Sequence, residues 1–344
     1  MRSAHVSSAT CSPSQGIPTI LPGDYVEAQA PAFALRASEG GFVMPTIVAP
    51  PRIGLRNILF ATDLDLSSQA ALFCALDLAR RYGAALYTVN VIPHLPFVEA
   101  VEPDPEQIKA AAKQKLAALA EPLKGIKHKE LIEQGEVPEV LSRLVEENDI
   151  DLIVIGTGAR TGLEKLLLGS IAEEIFRTAA CPVLTVGPHV THWEIDGNLR
   201  HILFATDFGP ESVHALPYAL SLAESNRARL TLLHVAPEPG VPLAEPEPGT
   251  LPILDPSEVV ATGEKQLRAL IPEGMALWHE PEFLVQFGPP TETILRIGAQ
   301  DVDLIVLGVK RPAALTKHLG AGVAYKIAGE ALCPVLSVGY RYRG

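Results

Sequence analysis

Residues 156–170 read Gly-Thr-Gly-Ala-Arg-Thr-Gly, then Leu-Glu-Lys-Leu-Leu-Leu, then Gly-Ser. An apolar run, LIVI at residues 152–155, precedes them, and a stretch with helical spacing of apolar residues starts at Ser170. Glycines let a backbone approach a ligand closely and take φ > 0. A helix N-terminus offers N–H groups without partners and a partial positive charge, which suits phosphate. Ser170 stands where it can cap that helix and also offer its hydroxyl to a phosphate oxygen. The chemistry implied is anion binding by backbone amides. A turn-only reading fits the same composition, since many glycine-rich strand-to-helix loops merely reverse the chain. The stretch is not a Walker loop, because no Gly-Lys-Ser/Thr follows. Nor is it the G-x-G-x-x-G fingerprint, which belongs after a first strand; this chain has Ala61-Thr62-Asp63 there.

The elements that must position this loop are legible from periodicity. Residues 57–62 and 152–155 are short continuous apolar runs, as strands buried on both faces require. Residues 67–82 carry Ala71, Leu72, Ala75, Leu78 and Ala79 at helical spacing, with Gly83 as a stop. Strands are expected at 84–91, 129–134 and 183–186, and helices at 105–119, 137–148 and 170–179. Strands alternating with helices give an α/β fold, a parallel sheet covered on both faces. Ligands of such sheets sit beyond the carboxyl ends of the strands.

The chain writes this domain twice. LRNILFATD at 55–63 returns as LRHILFATD at 199–207, DIDLIVIG at 149–156 as DVDLIVLG at 301–308, and CPVLTVG at 181–187 as CPVLSVG at 333–339. The expected organisation is an arm at 1–54, a first domain at 55–188, a linker at 189–198 and a second domain at 199–344. The arm mixes Ser, Pro, Gly and Ala without periodicity, apart from an apolar piece at 42–48. His189 and His192 read as solvated linker histidines, and the Pro- and Glu-rich stretch at 236–256 as a surface loop.

The strand ending in ATD, followed by DLIVIGTGARTGLEKLLLGSIAEEIFRTAACPVLTV, resembles the universal stress protein family. That family's ATP-binding members carry G-x-x-G-x9-G-S/T in this loop. Here it reads Gly156-x-x-Ala159-x9-Gly169-Ser170, with the spacing intact and alanine in place of the second glycine. The resemblance covers both copies and implies two tandem five-stranded sheets of order 3-2-1-4-5. It implies ATP as ligand, with or without Mg2+. Ala61, Thr62 and Asp63 would then line the adenosine end, with Val91 against adenine. Ile155, Gly156, Gly158 and Ala159 would pass the ribose and phosphates, with charge added by Arg160. Gly169, Ser170 and Ile171 would hold phosphate oxygens. It also implies that the domains pair through their last strands, 183–186 and 335–338, which as apolar edges need covering.

Each of these residues has a plainer role. Asp63 reads equally as an anchor for the first helix, together with Ser67, and Asp207 survives in the second copy, where the loop does not. Val91 reads as core and Arg160 as a solvated loop charge. If position 159 needs φ > 0, alanine costs roughly 1–2 kcal/mol there. In the second copy Arg311 stands in a glycine position, Ala321-Gly322 replaces Gly-Ser, and Pro312 stiffens the loop. That copy is expected to be a degenerate partner without ATP.

A net charge of −12 argues against a nucleic-acid partner. No run of 18 apolar residues occurs, so no membrane span is expected. Cys11, Cys74, Cys181 and Cys333 lack metal-like spacing, and no secretory signal is evident, which together favour a cytoplasmic protein. The leading functional expectation is a nucleotide-binding stress-response module formed by an intramolecular domain pair, with or without further homodimerisation. The alternatives are a slow ATPase or autokinase using the same pocket, and an interaction scaffold without nucleotide. No catalytic residues are assigned.

Overall fold

The computed structural model describes residues 53–64, 68–92, 105–117, 122–157, 170–190, 199–239, 255–310 and 322–340. The first copy contains β1 (Asn57–Ala61), α1 (Gln69–Tyr82), β2 (Ala85–Ile92), α2 (Pro105–Ala117), β3 (His128–Gln134), α3 (Val137–Glu147), β4 (Leu152–Gly156), α4 (Ser170–Thr178) and β5 (Val183–Val186). The second contains β6 (His201–Thr206), α5 (Pro210–Asn226), β7 (Arg229–Ala236), α6 (Pro256–Leu270), β8 (Glu282–Phe287), α7 (Pro290–Gly298), β9 (Leu304–Lys310), α8 (Val323–Glu330) and β10 (Val335–Tyr340). Gly83 ends α1 in the left-handed region, at φ 63°, with its N–H turned to the carbonyls of Ala79 and Arg80. The apolar piece at 42–48, most of the linker and most of the 236–256 stretch lie outside the described residues.

Each copy has parallel strands in the order 3-2-1-4-5, as the α/β pattern predicts. Where the repeats alone suggest two separate sheets, the structure has one of ten strands, β3-β2-β1-β4-β5-β10-β9-β6-β7-β8. The join is antiparallel and pairs Val183 with Ser337, Leu184 with Leu336, and Thr185 with Val335. Two apolar edges thus cover each other. On one face a single core runs through both copies, from Ile153, Ile175 and Phe176 across Val183 and Val335 to Ile327. Across this seam the Tyr325 hydroxyl bonds to the Glu173 carboxylate; burial, then that carboxylate, pushes its pKa up to about 12. On the other face α1 and α5 meet near their C-termini. Tyr82 Oη lies 3.1 Å from Ser225 Oγ, and Arg81 donates to Asn226 Oδ1.

The repeated blocks have mechanical causes. Asp151 Oδ2 accepts from the amides of Arg56 and Asn57, at 2.7 and 2.9 Å. Asp303 Oδ2 does the same for Arg200 and His201, at 2.6 and 2.8 Å. Each carboxylate therefore fixes the start of the central strand of its copy. Gly308, at the end of the apolar run of β9, passes against the first turn of α5. A Cβ there would lie 2.2 Å from the Glu211 carbonyl oxygen and 2.4 Å from the Ser212 nitrogen, both backbone atoms.

Two stability predictions follow from these contacts. Gly308→Ala should lower unfolding free energy by about 1–3 kcal/mol through overpacking. Gly54→Ala, which meets nothing within 4 Å, should stay within about 0.5 kcal/mol; urea unfolding compares them. His201 is buried at the head of β6, with Nδ1 3.1 Å from the Asp301 carbonyl. Burial, then the Arg229 charge, lowers its pKa from 6.5. As pH falls below about 6.5 the unfolded chain takes up this proton first, so stability drops through that window. The first copy has Asn57 at the matching position, bonded to the carbonyls of Asn148 and Asp149. His201→Asn should remove this component from the pH dependence of the urea midpoint.

Candidate functional site

Ala61 of β1 and Ile155 of β4 are register partners. Beyond them the chain leaves to opposite faces, through β1 to α1 and through β4 toward α4. The carboxyl ends of β1 and β4 therefore flank a crevice at the point where strand order reverses. Thr62 is buried there, and its amide donates to the Val89 carbonyl at 3.0 Å. Its hydroxyl accepts from the Leu64 amide at 2.9 Å, which holds Leu64 in the left-handed region at φ 65°. Asn90 Nδ2 donates to the Thr62 carbonyl at 2.9 Å. Asp63 is exposed, and its Oδ1 accepts from the Ser68 hydroxyl at 2.5 Å. The carboxylate thus anchors the start of α1 as the helix-anchor reading expected, with Ser68 as the partner the structure shows; Ser67 lies outside the described residues.

Ala61 and Val91 are half-buried at the margin of the core, on the face that carries α4. Ile155 is buried within that core, so its side chain belongs to packing. Gly156 is half-buried at the end of β4. The Thr157 amide donates to the Val186 carbonyl at 2.9 Å and so continues the sheet ladder. Gly158, Ala159, Arg160 and Gly169 lie outside the described residues. Ser170 and Ile171 open α4, and only their helical placement is described.

The second copy repeats the turn with different side chains. Thr206 Oγ1 accepts from the Phe208 amide at 2.9 Å, and Phe208 has φ 61°. His234 Nδ1 donates to the Thr206 carbonyl at 2.9 Å, where the first copy uses Asn90. Asp207 Oδ1 accepts from the Gly209 amide at 2.9 Å and the Ser212 hydroxyl at 3.0 Å. The shared Thr-Asp is therefore a device for turning strand into helix in both copies. What differs is the lining. The rings of Phe208 and His234 stand 4.4 Å apart at the carboxyl end of β6 and β7, where the first copy has Leu64 and Asn90. Sequence reasoning passed over Asn90 and Leu64, although aligning the copies marks both as positions that changed. Helix α8 begins after Gly322 with no side-chain cap, while Arg311, Pro312 and Ala321 lie outside the described residues. Among the described residues no group of three or more His, Cys, Asp or Glu gathers to hold a metal ion. No helix among them is long and apolar enough to cross a membrane.

A repeated domain with parallel strand order 3-2-1-4-5 defines a doubly wound α/β class, and comparison with known proteins gives the family. The universal stress protein family matches residues 54–187 and again residues 198–339. The chain belongs to the universal stress protein family. A universal stress protein of Methanocaldococcus jannaschii is 32% identical over 155 residues, which take in 42% of this chain and 89% of that protein. Universal stress protein A homolog 1 of Coxiella burnetii is 36% identical over 138 residues, 38% of this chain and 95% of that protein. The crystal structure of a universal stress protein from Archaeoglobus fulgidus superposes with a TM-score of 0.61 at 20% identity, covering 82% of this chain and 98% of that one. That likeness bears on the fold alone.

The anchoring role of the two aspartates is measurable without ligand. Asp63→Ala and Asp207→Ala should each lower stability by about 0.5–2 kcal/mol, through loss of the bonds to Ser68 and to Gly209 and Ser212. Denaturation of both variants in nucleotide-free buffer reads the difference.

Proposed function

We propose that the chain is a stress-response module that binds one adenine nucleotide, ATP, in the crevice of the first copy. The observation that carries this is the meeting of β1 and β4 at a switch point. There half-buried Ala61 and Val91 offer apolar surface on the same side from which α4 starts at Ser170. An apolar patch beside a helix N-terminus suits a ligand with a flat base at one end and phosphates at the other. The glycine and serine spacing of residues 156–170 supports the same assignment. In this reading Gly156, Gly158, Ala159 and Arg160 run past the ribose and phosphates, and Gly169, Ser170 and Ile171 hold phosphate oxygens. Asp63 keeps its bond to Ser68 and stands at the adenosine end of the crevice. Mg2+ would arrive on the triphosphate, which supplies most of its oxygen ligands.

The second copy serves as the structural partner of the first. Its turn is intact, its ring pair lines the corresponding place, and no hydroxyl caps α8. The working compartment in this proposal is the cytoplasm. The functional division follows the repeats, with 55–188 as the ligand-holding domain, 199–344 as its partner, 189–198 joining them and 1–54 preceding both.

Equilibrium dialysis of the full chain against ATP should give about one site per chain. Gly169→Leu and Ser170→Leu should each weaken binding at least tenfold, by filling the cradle and removing a hydroxyl. The fold should tolerate both, since α8 forms without a capping hydroxyl. No saturable binding at millimolar ATP would defeat the proposal, and unchanged binding in both variants would move the site elsewhere.

A further inference from the structure

The second copy carries a feature that the first lacks, at the amino ends of β6 and β7. Leu199, Arg200, Asn226, Arg227, Arg229 and His279 line a cleft of about 450 Å³. That volume is in the range of small-molecule sites. Three arginines and a histidine share it, and among the described residues no carboxylate lines it, although the whole chain carries 40 Asp and Glu against 28 Lys and Arg. Two acidic groups that act on neighbouring His201 have work within the protein. Asp303 accepts from the amides of Arg200 and His201, and Glu282 accepts from the Thr231 hydroxyl at 2.9 Å. Among the described residues neither Arg227 nor Arg229 pairs with a carboxylate. A further guanidinium, Arg81 of the first copy, donates to Asn226 in the cleft wall.

Matched positions in the two copies show that Arg227 and Arg229 are additions to the fold, while Arg200 has its counterpart in Arg56. The backbone is the same in both. Ala85 N donates to the Arg56 carbonyl at 2.7 Å, and Arg229 N to the Arg200 carbonyl at 2.7 Å. Where the second copy has Arg227 and Arg229, the first has Gly83 and Ala85. Arg227 sits at the left-handed cap of α5, at φ 54°, the position that glycine fills after α1 at φ 63°. That conformation disfavours any residue with a Cβ, so turning the chain does not explain an arginine there. Its guanidinium stacks over the Trp278 ring, 4.2 Å from the centroid, which orders the fork at the cleft. Trp278 itself is 59% exposed.

We propose that this cleft is a binding site for a small organic phosphate bearing two or more negative charges, separate from the nucleotide crevice. Guanidinium forks donate paired hydrogen bonds to phosphate oxygens. A tetrahedral phosphate presents oxygens to several forks at once, whereas a carboxylate is filled by one. Trp278, stacked against Arg227, borders that fork and reports on its occupancy.

Titration calorimetry of the full chain with inorganic pyrophosphate at low ionic strength tests the site. Saturable binding is expected, weakening as salt rises. Arg227→Gly combined with Arg229→Ala installs the residues that the first copy already uses on this backbone, so the variant should fold. It should bind pyrophosphate at least tenfold more weakly, while Ser170→Leu leaves pyrophosphate binding at Trp278 unchanged. The indole N–H resonance of Trp278, assigned with Trp278→Phe, should move on titration. Absence of saturable binding by the wild-type chain, equal binding by the double variant, or a stationary Trp278 signal would each overturn the proposal. Repeating both titrations in the Ser170→Leu chain weakens pyrophosphate binding at the first-copy cradle, and the Trp278 signal reports on the cleft alone, so failure here and failure of the nucleotide proposal are read separately.

Discussion

The antiparallel pairing of β5 with β10 is the constraint on which the rest of the molecule depends. Each is the last strand of its copy, and each is mostly apolar, with one buried hydroxyl residue, Thr185 or Ser337. Left open, such an edge invites pairing with any other exposed strand. Joined, the two edges make a continuous sheet and merge the cores of one face into a single cluster. The contacts between α1 and α5 on the opposite face, and between α4 and α8 at the seam, exist only because the strands between them are paired.

Two copies in one chain separate what folding requires from what it permits. Both keep Thr and Asp after the first strand, because the hydroxyl stabilises a left-handed residue and the carboxylate fixes a helix start. Both keep an aspartate that binds two amides at the head of the central strand. Both keep glycine at the end of the fourth strand, and in the second copy a helix backbone leaves no room for a Cβ. The copies part company in Leu64 and Asn90 against Phe208 and His234, and in Gly83 and Ala85 against Arg227 and Arg229.

Much of this fold was readable in the residues. Continuous apolar runs gave the central strands, helical spacing with Gly83 gave α1 and its end, and the repeats gave the tandem arrangement. The weaker strand β3, with its exposed polar residues His128, Lys129 and Glu130, was also recoverable, because alternating helices leave no other element to fill that place. The site was only partly legible. Periodicity placed Asp63 and Gly156 at strand ends, but it could not show that Asp63 holds Ser68 or that Ile155 turns into the core. Nor could it assemble the arginine cleft. Arg200, Arg227 and Arg229 meet His279 only through tertiary packing, and in sequence they look like ordinary surface charges.

The contact between Tyr325 and Glu173 has an evolutionary meaning. Counting from the matched CPVL blocks, the two residues occupy the same position in their respective copies. They face each other across the pseudo-two-fold axis, one hydroxyl donor to one carboxylate. Had two identical subunits met this way, glutamate would oppose glutamate or tyrosine would oppose tyrosine. Fusion into one polypeptide released the halves from that symmetry. It let complementary groups arise at a place where a homodimer could offer only like against like.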